Sequence, residues 1–266
     1  MRIFLLLVTL VILGCNTKNK TEEGISASIV GKNLPYNFEG TEYEGYIASD
    51  SSKEGKRPGI LVIHEWWGLN EYPKMRARQL ADLGYVAFAM DMYGKGVYTE
   101  DHVKAGELSG ANGDSKLMLS KINKALEILK SQANVDPDKI GAIGYCFGGK
   151  GVIEIALDGQ VLKGGVVSFH GMLMSQNLVE GAKNVKTKIL IHHGADDSFM
   201  TKEVVDNFVN TLKEANAPLT FVSHPGSKHG FTRKGADPHH GLAYNEEADK
   251  KSFESMKLFF ETNFKN

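Results

Sequence analysis

The sequence predicts an α/β fold with a mostly parallel central sheet and helices on both faces. Short runs rich in strand-forming residues alternate with amphipathic helical patterns along most of the chain. Most of these runs are continuous apolar stretches without strict alternation, as strands buried on both faces require. No Pro/Gly/Ser-rich linker interrupts the pattern, so residues 25–266 read as one domain.

The elements follow in chain order. Met1-Arg2 precedes "IFLLLVTLVIL", then Gly14 and Cys15. A positive end, a short apolar run and a small residue make an export signal over residues 1–14. The run is too short for a bilayer span, which needs roughly 20 residues. "ILGC" resembles the lipobox of bacterial lipoproteins, with Ile12 where leucine is more usual. That resemblance implies lipidation of Cys15, export, and a place in the bacterial periplasm, outer membrane or cell surface. The polar stretch over residues 15–24 then reads as a tether. Contact with a membrane is expected through the N-terminal lipid only.

Candidate strands in the remainder are "EGYIAS" (44–49), "GILVIHE" (59–65), "YVAFAMD" (85–91), "KIGAIGY" (139–145), "GGVVSFHG" (164–171), "KILIHHG" (188–194) and "LTFVSHP" (219–225). Among the helices, Met118, Leu119, Ile122, Ala125, Leu126 and Leu129 recur at three- and four-residue spacing behind a cap at Asp114 or Ser115. "KGVIEIALDG" starts a helix directly after the 139–145 strand. Val204, Val205, Phe208 and Leu212 form an apolar stripe behind Thr201, and Phe253, Met256, Phe259 and Phe260 form another near the end. A net charge of −1 gives no electrostatic reason to expect nucleic acid as a partner.

"KIGAIGYCFGGKG" (139–151) carries the chemistry. Gly144-Tyr145-Cys146-Phe147-Gly148 has the spacing G-x-C-x-G between a strand and a helix. This is the nucleophile elbow with sulfur in place of oxygen. The turn forces its central residue into a strained conformation, so its neighbours must lack bulk. The following helix directs its positive N-terminus at the sulfur and favours thiolate. The competing interpretation is a core cysteine in a glycine-rich turn. The chain has two cysteines. If Cys15 opens the mature chain, Cys146 is the only thiol in the folded part, and it has no disulfide partner there.

An elbow nucleophile should be followed by an acid and then a histidine at later strand ends. Asp197 follows the 188–194 strand and His229 follows the 219–225 strand. The imidazole would accept the thiol proton and the carboxylate would orient it. Asp196 and His224 compete for these roles; His224, ending a strand, reads as structural. Phe147 supplies one oxyanion amide, and the loop "WWGLN" supplies the other. His192-His193 point to opposite faces of a strand, and neither they nor His239-His240 sit in a carboxylate or cysteine cluster with ligand spacing. No metal site and no cofactor are expected.

Together, "VIHEWWGLN", "RQLADLGYVAFAMDMYG", "IGAIGYCFGG", "HHGADDSFM", "HPGSKHGFTRKG" and "AYNEEADKKSFESMKLFF" resemble the dienelactone hydrolase family, a branch of the α/β hydrolases. The resemblance covers nearly the whole chain after the tether. It implies Cys146 as nucleophile, Asp197 as acid and His229 as base. It implies that Glu65 interacts with the resting thiol, that Trp66 and Phe147 are the oxyanion donors, and that Arg233 holds a substrate carboxylate. Trp67, paired with Trp66, suggests an aromatic mouth to the substrate site. One feature departs from the family: "TEDHVKAGELSGANGDSKLMLSK" contains no arginine, where the namesake enzymes carry a second carboxylate-binding one. Lys104 or Lys116 could replace it only as a point charge.

The sequence therefore leads to an exported, lipid-anchored thiol hydrolase of small-molecule esters or lactones. The rival expectations are a catalytically silent binding lipoprotein on the same fold, and an acyl transferase or peptide-bond hydrolase.

Overall fold

The computed structural model describes residues 24–265; Cys15, the signal segment and nearly all of the tether lie outside them. The first two strands, β1 (Ile29–Phe38) and β2 (Thr41–Asp50), form an antiparallel hairpin. Its turn at Glu39-Gly40 takes positive φ at both residues, 48° and 77°, the geometry that matches the twist of two-residue hairpins. The remaining strands are β3 (Arg57–Ile63), β4 (Val86–Met90), β5 (Val135–Tyr145), β6 (Gly165–Phe169), β7 (Ile189–Gly194) and β8 (Leu219–His224). They make one eight-stranded sheet in the order β1-β2-β4-β3-β5-β6-β7-β8. β2 pairs antiparallel to β4, and β3 to β8 are mutually parallel.

Among the described residues seven α-helices accompany the sheet: α1 (Glu71–Asp82), α2 (His102–Ala111), α3 (Ser115–Lys130), α4 (Phe147–Leu157), α5 (Leu178–Ala182), α6 (Lys202–Glu214) and α7 (Glu246–Lys265). Of the two cap candidates for α3, Asp114 does the work: its carboxylate accepts the amides of Lys116 and Leu117 at 3.1 and 3.0 Å. Thr201 caps α6 through the Val204 amide at 3.4 Å. Such caps contribute about 1 kcal/mol each.

The alternation of side chains along each strand divides the interior in two. Leu61, Ile63, Phe88 and Met90 pack with Met118, Ile122, Val152 and Phe208 of α3, α4 and α6. Ile60, Val62, Ala87 and Ala89 pack on the opposite face with Leu80 of α1 and Met256 and Phe260 of α7. Burying both faces explains the unbroken apolar runs, each large side chain contributing about 1.5–3 kcal/mol.

The predicted strands are all present. β5 begins earlier than expected, at Val135, and β1 is an addition. Among the described residues no helix is long and apolar enough to cross a membrane. Because β3, β5, β7 and β8 run parallel, the loops that follow them gather at one edge, where such sheets place their chemistry.

Candidate active site

Cys146 sits between β5 and α4 with φ 53° and ψ −112°, a backbone region that costs about 1–3 kcal/mol for a residue with a side chain. Surrounding contacts hold it there. Its amide donates to Phe169 O at 3.0 Å, and its carbonyl accepts the Gly149 amide at 2.9 Å. The flanking glycines are obligatory for close approach. A Cβ on Gly144 would lie 1.9 Å from Gly148 O, and one on Gly148 would lie 2.2 Å from Ile63 O. One on Gly149 would lie 2.5 Å from Gly171 Cα. These neighbours are backbone atoms and cannot swing aside. The side chain remains 8 % exposed and lines a cavity.

His229, in the loop after β8, hydrogen-bonds through Nδ1 to Asp197 Oδ2 at 2.8 Å. Both residues are buried. Asp197 Oδ1 is occupied separately by the amides of Phe199 and Met200, at 2.8 and 3.3 Å. The carboxylate is therefore clamped and only Oδ2 faces the ring. Burial alone would lower the His229 pKa. The Cys146 thiolate charge, hydrogen bonds to Asp197 and to Cys146, and the Asp197 charge outweigh it and raise the pKa to about 10. The arrangement favours the protonated ring between Cys146 and the Asp197 carboxylate.

The competing residues are placed elsewhere. Asp196 is exposed. His224 pairs with His192 at 3.0 Å, inside the fold.

The two candidate oxyanion donors are the amides of Phe147 and Trp66. Phe147 is the first residue of α4, where an amide has no carbonyl one turn back. Among the described residues the Trp66 amide has no partner in the hydrogen-bond network. Its peptide is aimed by His64, a residue the sequence did not single out. His64 Nε2 accepts the Met92 amide at 3.2 Å, so its proton is on Nδ1 and is donated to Glu65 O at 2.5 Å. Gly68 N adds a second bond to the same carbonyl at 3.3 Å. In a trans peptide the N–H of Trp66 points away from that held carbonyl. His64 is fully buried and its pKa is lowered chiefly by that burial, so the neutral tautomer persists.

Glu65 ends the same segment. Burial raises its pKa against the opposing charges of Arg233 and His229. Its Oε2 lies 3.6 Å from Arg233 Nη1 and makes no hydrogen bond among the described residues.

A buried network holds the histidine loop. Arg76 Nη2 donates to Thr232 O at 2.8 Å and to Asp249 Oδ1 at 2.5 Å. Thr232 Oγ1 meets His170 Nε2 at 2.7 Å, and the His170 ring packs edge-on against His229 at 5.2 Å. Thus α1 and α7 brace the loop from beneath the sheet edge.

The cavity over Cys146 measures about 350 Å³. Trp66, Met172, Met174, Phe199 and Leu242 give it apolar walls, and Gly106, Ser109 and Gly110 of α2 give it a side without bulk. Arg233 and Trp67 are not in its lining. The guanidinium lies 4.9 Å over the Trp67 ring and beside Glu65. Trp67 is buried with Ala105 and Leu242. Both expected substrate contacts stand apart from this cavity in the fold: ion pairing and stacking engage them, and Arg233 lines a separate hollow with Tyr72 and Tyr98. Lys104 pairs with Glu107, and Lys116 is exposed. The one lysine in the lining, Lys150, donates to Gly113 O at 2.5 Å.

The expectation that no ligand cluster exists is also corrected. Asp237 and His240 share a single 3-10 turn, where residues three apart overlie each other. The fold brings His102, from α2, against them, so that one potential ligand atom from each lies within 4.8 Å of the others.

Comparison with known proteins identifies the relatives of this chain. Residues 43–264 match the model of the Dienelactone hydrolase family. A protein of Aquifex aeolicus (strain VF5), named provisionally as a carboxymethylenebutenolidase, is 26% identical over 242 residues, covering 89% of this chain and all of its own. The solved structure titled m3DLH is 33% identical with TM-score 0.83, covering 88% of this chain and 98% of that one. A dienelactone hydrolase-like promiscuous phosphotriesterase, P91, from metagenomic libraries is 30% identical with TM-score 0.80 over the same shares.

Proposed function

Because the chain belongs to the dienelactone hydrolase family, we propose that it hydrolyses activated carboxylic esters or lactones with Cys146 as nucleophile. The observation that carries this is the strained sulfur position beside an imidazole held at 2.8 Å by a clamped carboxylate. The Cys146 thiolate attacks the carbonyl carbon, and the amides of Trp66 and Phe147 receive the developing oxyanion. His229 Nε2 gives its proton to the departing oxygen, leaving a thioester on Cys146. Neutral His229 then takes a proton from water, which attacks the thioester and releases the acid. Asp197 keeps the imidazole in the tautomer both steps need.

A thiolate is itself a good leaving group. The tetrahedral adduct partitions forward only when the substrate oxygen leaves as readily, as in enol and aryl esters. The apolar cavity, with Arg233 and Lys150 both engaged, favours neutral substrates with an apolar acyl part over the carboxylate-bearing substrates the family resemblance implies. A strained cysteine that shares its cavity with a carboxylate-held imidazole supports turnover over silent binding. We further propose, from residues 1–15 alone, that the enzyme is exported and anchored by lipid on Cys15.

The direct test is a panel of aryl esters, enol lactones and dicarboxylate analogues assayed with wild type and Cys146→Ala. Equal rates in the two proteins would remove the mechanism, and preference for the charged analogues would remove the neutral-substrate reading. Acyl transfer is distinguished by product analysis with added alcohol or amine acceptors. Equal palmitate labelling of wild type and Cys15→Ser would remove the anchor.

A further inference from the structure

The histidine pair in "PHHG" has no part in the chemistry above, yet His240 is carefully placed. Asp237 caps the 3-10 turn Pro238–His240 by accepting the His239 amide on Oδ1 at 2.9 Å. That bond fixes the carboxylate, and Oδ2 turns toward two imidazoles. His240 Nδ1 lies 2.7 Å from Oδ2 and His102 Nε2 lies 4.0 Å from it. The two rings are stacked with centroids 3.6 Å apart and planes 20° from parallel. Neutral imidazole is the form that binds metal.

We propose that His102, Asp237 and His240 form a binding site for a divalent transition-metal ion of the zinc or nickel class. Two imidazoles and one carboxylate suit these ions; magnesium and calcium favour all-oxygen sites. Bonds of about 2.0–2.2 Å place tetrahedral ligand atoms about 3.3 Å apart, so side-chain adjustments on the order of 1.5 Å bring the three into range. All three residues are partly or fully exposed, which admits the ion and lets water complete its shell.

The site's position gives it a consequence. His102 begins α2, whose Gly106, Ser109 and Gly110 wall the cavity. Its ring meets Trp67 and Trp66 edge-on at 4.9 and 5.7 Å. Asp237 O accepts the amide of Leu242, another wall residue, which bridges to His229. Among the described residues no backbone hydrogen bond joins the two sides here. An ion would staple α2 to the segment that follows the catalytic histidine and fix the width of the cavity mouth.

The test is isothermal titration of zinc and nickel chloride into the full chain carrying Cys146→Ser, so that the active-site thiol does not compete. Magnesium chloride serves as the control. In this background the site binds zinc or nickel saturably, and magnesium gives no saturable heat. Adding Asp237→Ala or His240→Ala weakens the ion by more than the about 10–100-fold that loss of an outer-shell partner costs. Adding His239→Ala leaves binding unchanged. Zinc raises the melting temperature of the parent and not of the Asp237→Ala or His240→Ala chains, and melts without metal verify that each variant is folded. Absence of saturable binding in the parent, or equal affinity in folded parent and His240→Ala chains, overturns the proposal.

Discussion

Replacing Asp197 by asparagine should be more damaging than replacing it by alanine, and the reason lies in which oxygen is free. Oδ1 is held by the Phe199 and Met200 amides at 2.8 and 3.3 Å, while Oδ2 accepts from His229 at 2.8 Å. A carboxamide has one acceptor oxygen. Two backbone N–H groups demand it, so the new amide nitrogen is left facing Nδ1 of the ring. The imidazole must then accept there and carry its proton on Nε2, the nitrogen needed to take the thiol proton. In the serine triad the corresponding exchange lowers kcat by about 10⁴, or about 5.5 kcal/mol of barrier. Part of that loss is avoided when the ion pair already exists at rest, so a fall of about 10²–10⁴ is expected here. Asp197→Ala removes the carboxylate without placing a donor against Nδ1, leaves the tautomer free, and should retain more activity. The assay is kcat/KM on an aryl ester, with thiolate absorbance followed against pH in each variant. Asparagine equalling or exceeding alanine in activity would refute the tautomer argument.

Other outcomes follow from the same geometry. His229 has a folded-state pKa near 10 against an ordinary 6.5, so its stabilising contribution is complete below about pH 6.5 and is lost as pH rises through about 10. Urea melts from pH 6 to 10.5 should show wild type losing stability more steeply over that interval than Asp197→Ala, which lacks the hydrogen bond and charge that help raise the pKa. Gly148→Ala sets a methyl 2.2 Å from Ile63 O and should lower stability by more than the about 1–3 kcal/mol of ordinary overpacking, read as loss of soluble protein or a large fall in melting temperature. Gly106→Ala, with nothing within 4 Å of the new methyl, should stabilise α2 by up to about 1 kcal/mol. His64→Phe should lower kcat, with little change in KM, by less than the about 10²–10³ that loss of an oxyanion donor costs.

Sequence periodicity revealed the elements whose side chains face the core and missed those that do not. β4 is wholly buried, and "YVAFAMD" announces it. β1 is an edge strand with Pro35, Gly31 and mostly exposed side chains. Its pairing with β2 is a backbone property without an apolar signature. α2 buries Ala105 alone, so no stripe marks it. The site divides similarly. Cys146, Asp197 and His229 were legible because chain order and strand ends constrain them. The choice of Asp197 over Asp196 rested on the family resemblance; the structure shows one buried against the ring and the other exposed. His64 was invisible because its task is to hold a neighbouring peptide, which leaves no spacing pattern. The three-residue cluster at His102 was invisible because one member comes from a distant helix.

The positions of Arg233 and Trp67 outside the cavity lining have a common physical origin. An arginine in a loop near an active site can serve a substrate only while no protein carboxylate claims it. Glu65, buried and without another partner for Oε2, makes that claim at 3.6 Å, and Trp67 adds its ring face on the other side. Breaking the pair would leave Glu65 in the interior without its compensating charge, so that the carboxyl must take up a proton or bear the desolvation cost. A substrate carboxylate that drew Arg233 away would have to offset that cost, whereas a neutral ester enters the cavity without disturbing it. Glu65→Gln removes the competing charge. It should therefore leave neutral aryl esters nearly unaffected while lowering KM for carboxylate-bearing analogues. A Glu65→Gln chain whose selectivity between the two substrate types equals that of wild type would show that Arg233 is not held by this pair.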